Sequence, residues 1–219
     1  MTLKEHTVKS YDKDLQSIAG TIDQMSHLVL ESIDMVAKAI SEHNVEFLEM
    51  ITNHDYKINS LDFLIEKKMT AMLALRQPMA VDLRYIVSSL KVSSNLERIG
   101  DQAKSIIRKI IRTKSEKFDE NIEVAFLAML TLSKKMITDS VRSFNEHSVE
   151  LADFVLASDD EIDEIYKEMF KITEGDSFNH DQVDNIINIL FIAKSFERLA
   201  DHSTNIAEIA KYVATGETK

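Results

Sequence analysis

The sequence predicts an all-α protein built from two pseudo-symmetric three-helix bundles, and three observations predict this fold. Apolar residues recur at steps of three and four along most of the 219 residues, which is the spacing of one face of a helix. Glycine and proline, the residues that interrupt helices, occur only 4 times and once. Segments of the first half also recur in the second half, which indicates an internal duplication.

The first unit is predicted to contain three long helices. Helical spacing of apolar residues covers 11–41, 45–75 and 79–111. The second helix is expected to stop before Pro78, because proline cannot continue a helix and disfavours helical geometry in the residue before it.

The second unit repeats this order after a polar linker at 112–120. Its predicted helices cover 121–146, 149–171 and 180–213. The segment TEGDSFN, with Gly175, separates the last two helices. We therefore place the first bundle at 1–116 and the second bundle at 117–219.

Two pairs of matching segments support the duplication. The segment NLERIGDQAKSI (95–106) matches SFERLADHSTNI (195–206) at an offset of 100. The segment EHNVEFLEMITNHDYKIN (42–59) matches EHSVELADFVLASDDEID (146–163) at an offset of 104. The second unit is thus shorter by about one helical turn near its last connection between helices.

Paired carboxylates recur in the duplicated segments. Glu97 and Asp101 are four residues apart, as are Glu197 and Asp201, so each pair lies on one side of its helix. Stepping back by three and four reaches apolar residues in both units. These are Leu83, Val87, Leu90, Val183, Ile187 and Leu190. The pairs are therefore expected to continue a line that faces the core. Gly100 within the first motif, like Ala200 in the second, would permit a close approach by another backbone or a ligand.

The second helix of each unit offers a matching half-site. Asp159 and Asp163 have the same four-residue spacing, and their counterparts are Asp55 and Asn59. Antiparallel helices could bring two such pairs together, and oxygen ligands without cysteine suit Mg²⁺, Mn²⁺ or iron. The alternative is an ordinary solvated acidic surface, which nearby basic residues would neutralise in the first unit.

Composition excludes several other classes of protein. The net charge of -11 opposes binding to nucleic acid and to anionic lipid. Cysteine is absent, so no disulfide or thiolate chemistry is possible. The sequence shows neither a signal peptide at its start nor an apolar run of about 20 residues, so the cytoplasm is the expected location. No phosphate-binding glycine loop, HExxH motif or nucleophile–base arrangement is present, and the Glu-x-x-His pair of ferritin-like proteins is missing.

Three segments together resemble the PhoU family of phosphate-responsive regulators. They are LALRQPMAVDLRYIVSSLK, LERIGDQAKSI and FERLADHSTNIAEIAKYVATGE. The resemblance implies two three-helix bundles and metal ions bound at E/DxxxD motifs, with Mg²⁺, Mn²⁺, iron or Zn²⁺ as candidates. Carried over to this chain, the implied metal ligands are Asp55, Glu97, Asp101, Asp159, Asp163, Glu197 and Asp201. Asn59 stands where the family usually has aspartate, so the first bundle is expected to bind metal more weakly, or not at all.

The resemblance also implies a role without catalysis. A protein of this family is expected to be a cytoplasmic negative regulator of the phosphate-starvation response, and a homodimer. It would link the ATPase of the phosphate-specific ABC transporter to a sensor histidine kinase. Two alternatives remain: an accessory subunit of another phosphate permease, and a metal-storage protein or metal-dependent enzyme of the carboxylate-bundle type.

Overall fold

Six helices make up the secondary structure, and no strand occurs among the residues that the structure describes. A computed structural model describes residues 3–42, 44, 46–76, 78–113, 118–172 and 180–217. The helices are α1 (Leu3–Glu42), α2 (Glu46–Arg76), α3 (Ala80–Arg112), α4 (Glu120–Glu146), α5 (Val149–Ile172) and α6 (His180–Thr215). The prediction of an all-α fold is confirmed.

The predicted helix ends agree with the structure to within two residues, except at the start of α1. That helix begins at Leu3 rather than residue 11. The residues before Tyr11 lack apolar periodicity, but they also lack glycine and proline, so nothing in them stops the helix. The predicted boundary after residue 116 and the predicted connection at 173–179 lie outside the described residues.

The helices form two layers. Helix α1 packs against α2 and α3, and α4 packs against α5 and α6, which gives the two three-helix bundles. Between the bundles, α3 packs against α6 and α1 packs against α4. One layer therefore has the order α2–α3–α6–α5, and the second layer, α1 and α4, covers one side of it.

Each bundle has a core of aliphatic and aromatic side chains. In the first bundle, Ile22, Ile58 and Ile99 are fully buried. In the second bundle, Phe126 of α4 packs near Phe196 of α6, with ring centroids 5.9 Å apart. Burying one such side chain contributes about 1.5–3 kcal/mol to stability, so the cores hold the long helices together.

Helices α3 and α6 run antiparallel where the bundles meet. Asn95 of α3 lies beside His202 of α6, with Oδ1 and Nδ1 3.1 Å apart. Toward the other end of the seam, the Lys109 ammonium donates to the hydroxyl of Ser195 at 2.6 Å, and Asn188 donates to the carbonyl of Lys109 at 2.8 Å. The seam is thus fixed by polar contacts at positions far apart along both helices.

Candidate functional site

The candidate site lies on the outer face, which we define as the exposed side of α3 and α6. Helix α3 is flanked by α2 and α6 and covered by α1, whereas α6 is flanked by α5 and α3 and covered by α4. Only one side of each helix is therefore left to solvent. That side carries Val87, Leu90, Glu97 and Asp101 on α3.

The expectation of a core-facing line is wrong. Val87 is 44% exposed and Ile187 is 45% exposed, so the apolar residues of this line lie on the outer face. The core positions of α3 are their helical neighbours Ile86, Leu96 and Ile99, which are fully buried. The carboxylates lie at the edge of the exposed strip, and the Glu97 side chain is 23% exposed. They are partly shielded from water, but they do not point into the core.

The first carboxylate cluster joins α2 and α3. Lys104 of α3 lies with its ammonium 2.5 Å from a carboxylate oxygen of Asp55 on α2, and both side chains are largely buried. Burial, then the charge of Asp101, raises the pKa of Glu97. Burial, then the charge of Asp55, raises the pKa of Asp101. Asp55, Glu97 and Asp101 therefore share one electrostatic environment. Their role as metal ligands stays a prediction.

Two members of this cluster escaped the sequence prediction. Asp62 accepts a hydrogen bond of 2.6 Å from the Ser93 hydroxyl, and its charge also raises the pKa of Glu97. Its spacing of seven residues from Asp55 was the available signal, because seven residues return to the same side of a helix. Lys104 is one of the basic residues expected to neutralise a solvated acidic surface in the first unit, but it is buried against Asp55.

A close contact between helices supports the first cluster. A Cβ atom added at Gly100 would come within 3.0 Å of Cδ1 of Ile58. A close approach does occur at Gly100, but the approaching group is the side chain of Ile58 on α2 rather than the predicted backbone or ligand. The tight packing holds the α2 carboxylate close to those of α3.

The second carboxylate cluster joins α5 and α6. Burial, followed by the charges of Asp201, Asp163 and Glu197, raises the pKa of Asp159 to about 6. Burial, then the charge of Glu197, raises the pKa of Asp201. The four predicted carboxylates of this bundle therefore interact with one another. Repulsion among them is the feature that a bound cation would relieve.

A lysine engages one oxygen of the second cluster. Lys194 lies with its ammonium 2.5 Å from Oε1 of Glu197. The other oxygen of this carboxylate, Oε2, is buried without a hydrogen-bond partner. An unsatisfied buried oxygen is costly, so Glu197 has an unused capacity to bind a proton donor or a cation.

The two clusters differ in how well they fit a divalent cation. Within the described ranges, no three carboxylate or imidazole groups converge closely enough to hold a metal ion, so binding would require side chains to rotate. The second cluster fits by its donor set and by the unpartnered oxygen of Glu197. In the first cluster, Lys104 already holds Asp55, and the neighbouring Asn59 is exposed.

None of the helices, over the parts of them that the structure describes, has the length and apolar character needed to cross a membrane.

Comparison with known proteins agrees with this architecture. The family model of the PhoU domain matches twice, at residues 22–110 and 126–210. These two matches fall in the first and second bundles, and together they cover most of the chain. The chain belongs to the PhoU family.

Relatives match over nearly their whole length. A phosphate-specific transport system accessory protein PhoU homolog of Caulobacter vibrioides is 33% identical over 220 residues, which covers 98% of this chain and 94% of the relative. A protein of the same description from Aquifex aeolicus is 34% identical over 210 residues, covering 94% of this chain and 93% of the relative.

Solved structures show the same fold. The crystal structure of PhoU from Pseudomonas aeruginosa has a TM-score of 0.85 and 27% sequence identity, covering 94% of this chain and all of that one. The phosphate transport system regulatory protein PhoU from Streptococcus pneumoniae has a TM-score of 0.84 and 29% identity, covering 95% of this chain and 99% of that one. The arrangement of two three-helix bundles is therefore shared with these proteins.

Proposed function

We propose that this protein is a cytoplasmic negative regulator of the phosphate-starvation response. It would act as an adaptor between the ATPase subunit of a phosphate-specific ABC transporter and a sensor histidine kinase, without catalysing a reaction. The two PhoU domain matches, one in each bundle, carry the proposal. The names of the relatives add to it, since they describe phosphate-specific transport accessory proteins and a regulatory protein.

The outer face supports a role in binding other proteins. Exposed apolar residues occupy the first half of α3, including Val87 and Leu90, and the first half of α6, including Ile187 and Phe191. Because the two helices are antiparallel, these apolar regions lie toward opposite ends of the face. Clusters of exposed apolar residues are typical of protein interaction sites. Two partners, or two copies of the chain in a homodimer, could use the two ends.

A deletion strain tests the regulatory role. We expect the reporter of the starvation response to be active in high phosphate when the gene is deleted, and repression to return on complementation. Unchanged repression in the deletion strain would contradict the proposal. A defect confined to phosphate uptake, with normal reporter output, would instead favour an accessory subunit of a phosphate permease.

We also propose that the carboxylates bind a divalent cation, with Mg²⁺, Mn²⁺, Fe²⁺ or Zn²⁺ as candidates and the second cluster as the stronger site. Asp159, Asp163, Glu197 and Asp201 would hold the ion there, and its charge would relieve their mutual repulsion. In the first bundle, Asp55, Glu97 and Asp101 would bind more weakly.

Metal titration of matched variants tests this proposal. Asp201→Ala is expected to remove more bound metal than Asp101→Ala, because it alters the stronger site. Asn59→Asp adds an anionic ligand beside the first cluster and should strengthen binding there. Equal losses from the two alanine variants would contradict the asymmetry. If the unmodified protein binds none of the four metals, the carboxylates are better interpreted as an acidic docking face.

A further inference from the structure

The two carboxylate clusters have different residues at one pair of matching positions. At the offset of 100 that relates α3 to α6, Lys104 corresponds to Thr204. The lysine is an α3 residue that reaches Asp55 of α2. The threonine makes a local contact only, since its hydroxyl donates to the backbone carbonyl of Asp201 at 2.8 Å. The first cluster thus contains a cation at a position where the second cluster has a neutral side chain.

We propose that Lys104 is a built-in counter-ion, whose ammonium takes the place in the first cluster that a divalent cation would take in the second. The proposal rests on metal binding by the second cluster. Its new content is that a covalently attached charge already balances the carboxylates of the first bundle, and that this charge is the reason why metal binding there would be weaker. Asn59 is exposed, so the substitution Asn59→Asp should strengthen metal binding in the first bundle less than removal of Lys104 does.

Burial of the ion pair is the first support. The Lys104 side chain is 13% exposed and Asp55 is 9% exposed. The ammonium also lies 6.0 Å from the ring centroid of Tyr56. A metal ion that displaced Lys104 from Asp55 would leave an ammonium buried without its partner, which is strongly unfavourable. Lys104 therefore opposes metal binding more than a mobile surface lysine would.

The lysine of the second cluster does not play the same part. Lys194 is 38% exposed and lies at the edge of its cluster, three residues before Glu197 on the same helix. Its counterpart in the first bundle is Ser94. It engages one oxygen of Glu197 and leaves Oε2 without a hydrogen-bond partner. Lys194 does reach the neighbouring helix α5, but through the ring of Tyr166, whose centroid lies 5.4 Å from the ammonium. Lys104, in contrast, pairs with a carboxylate of the neighbouring helix.

An exchange of the two matching residues tests the proposal. The protein is stripped with EDTA and titrated with Mn²⁺, and free Mn²⁺ is measured by electron paramagnetic resonance. We expect one tightly bound ion per chain for the parent and two for Lys104→Thr. Thr204→Lys should weaken the site of the second cluster by about tenfold or more, because it places a positive charge beside a partly buried cation.

Lys91→Thr is the matched control, since it removes one exposed lysine from the same helix away from the cluster. It should bind Mn²⁺ as the parent does. Thermal unfolding gives a second readout. Without metal, Lys104→Thr should unfold at a lower temperature than the parent. Added Mn²⁺ should raise the unfolding temperature of Lys104→Thr more than that of the parent.

The outcomes separate this proposal from the metal site on which it rests. Binding by the parent tests the second cluster, whereas the difference between the parent and Lys104→Thr tests Lys104. An equal number of tightly bound ions in these two proteins would overturn the proposal while leaving the second site intact. Two tightly bound ions in the parent would overturn it as well. No binding by any variant would overturn both. If Lys104→Thr does not fold, unchanged affinity in Thr204→Lys overturns the proposal by itself.

Discussion

Asp159 shows how the second cluster couples charge to stability. Its pKa is raised to about 6 by burial and by the charges of Asp201, Asp163 and Glu197. Since the folded chain holds this proton more strongly than the unfolded chain, the resulting stability is present at low pH. It is lost as the pH rises through the folded pKa. His202 acts in the opposite sense, because burial and then the charges of Arg98 and Arg198 lower its pKa.

The substitution Asp159→Asn isolates the contribution of this carboxyl group. Removing the charge should make the metal-free protein more stable than the parent at about pH 7.5, and the advantage should shrink toward about pH 5, where the parent takes up its proton. Urea unfolding of both proteins at the two pH values measures the difference. His202 is present in both proteins, so its titration cancels. An advantage that does not change with pH would contradict the prediction.

At the residue scale, the sequence revealed the carboxylates but not their surroundings. Repetition at fixed offsets and spacing on a helix were sufficient to select Glu97, Asp101, Glu197 and Asp201. The burial of Lys104 against Asp55 depends on how α2 packs on α3, which no local pattern encodes. Helix packing also explains why the expectation of a core-facing line was wrong. A helix with three neighbours keeps one exposed strip, and the local sequence does not show which residues lie on it.

At the scale of secondary-structure elements, helices α2 and α3 pack closely at Gly100. The missing side chain leaves room for Ile58, whose Cδ1 would lie 3.0 Å from an added Cβ. The counterpart in the second unit, Ala200, is fully buried with its methyl group in place. The two bundles therefore accommodate different side chains at the same point of contact between helices.

The same substitution at two helical glycines should have different effects on stability. Gly20→Ala should stabilise the protein by up to about 1 kcal/mol, since alanine favours helix and the new Cβ would have no atom within 4 Å beyond the adjacent residues and backbone of its own helix. Gly100→Ala should be close to neutral, because the same gain is offset by displacement of Ile58. Gly100→Leu should destabilise by about 1–3 kcal/mol through overpacking. Chemical unfolding measures all three, and a Gly100→Leu variant as stable as the parent would refute the close approach.

Helix boundaries were predictable because the sequence contains few residues that stop a helix. Pro78 and the polar segments between units placed the ends of α2, α3 and α4 within two residues. The start of α1 was missed, because a helix can continue without an apolar stripe. Helix propensity and apolar periodicity are separate signals, and the residues before Tyr11 lack only the periodicity.

For the whole molecule, the outer face is the surface that proposed partners would contact. Its apolar residues lie at both ends, with the carboxylate clusters on either side of the seam between the bundles. The net charge of -11 opposes binding to anionic membranes. Attachment to a membrane would therefore be through proteins embedded in it or bound to it.

Charged substitutions on the outer face should weaken partner binding. Val87→Glu and Ile187→Glu are expected to lower the recovery of an ABC ATPase or a histidine kinase from membranes by about tenfold, because they place a charge in an apolar contact. Val124→Glu, at an exposed position of α4 in the other layer, is the control and should bind as the parent does. Comparable binding of the parent to protein-free anionic liposomes would contradict recruitment by proteins.

The seam between α3 and α6 also constrains the order of events during synthesis on the ribosome. Its partners are far apart in sequence, since 107 residues separate Asn95 from His202 and 86 separate Lys109 from Ser195. Helix α3 is therefore synthesised long before α6, which packs beside it, so the side of the nascent first bundle that contacts α6 is at first exposed to solvent. We expect a fragment of residues 1–116 to unfold at a lower temperature than the full chain and to bind a hydrophobic dye. A fragment as stable as the full chain would show that the first bundle does not depend on the last helix.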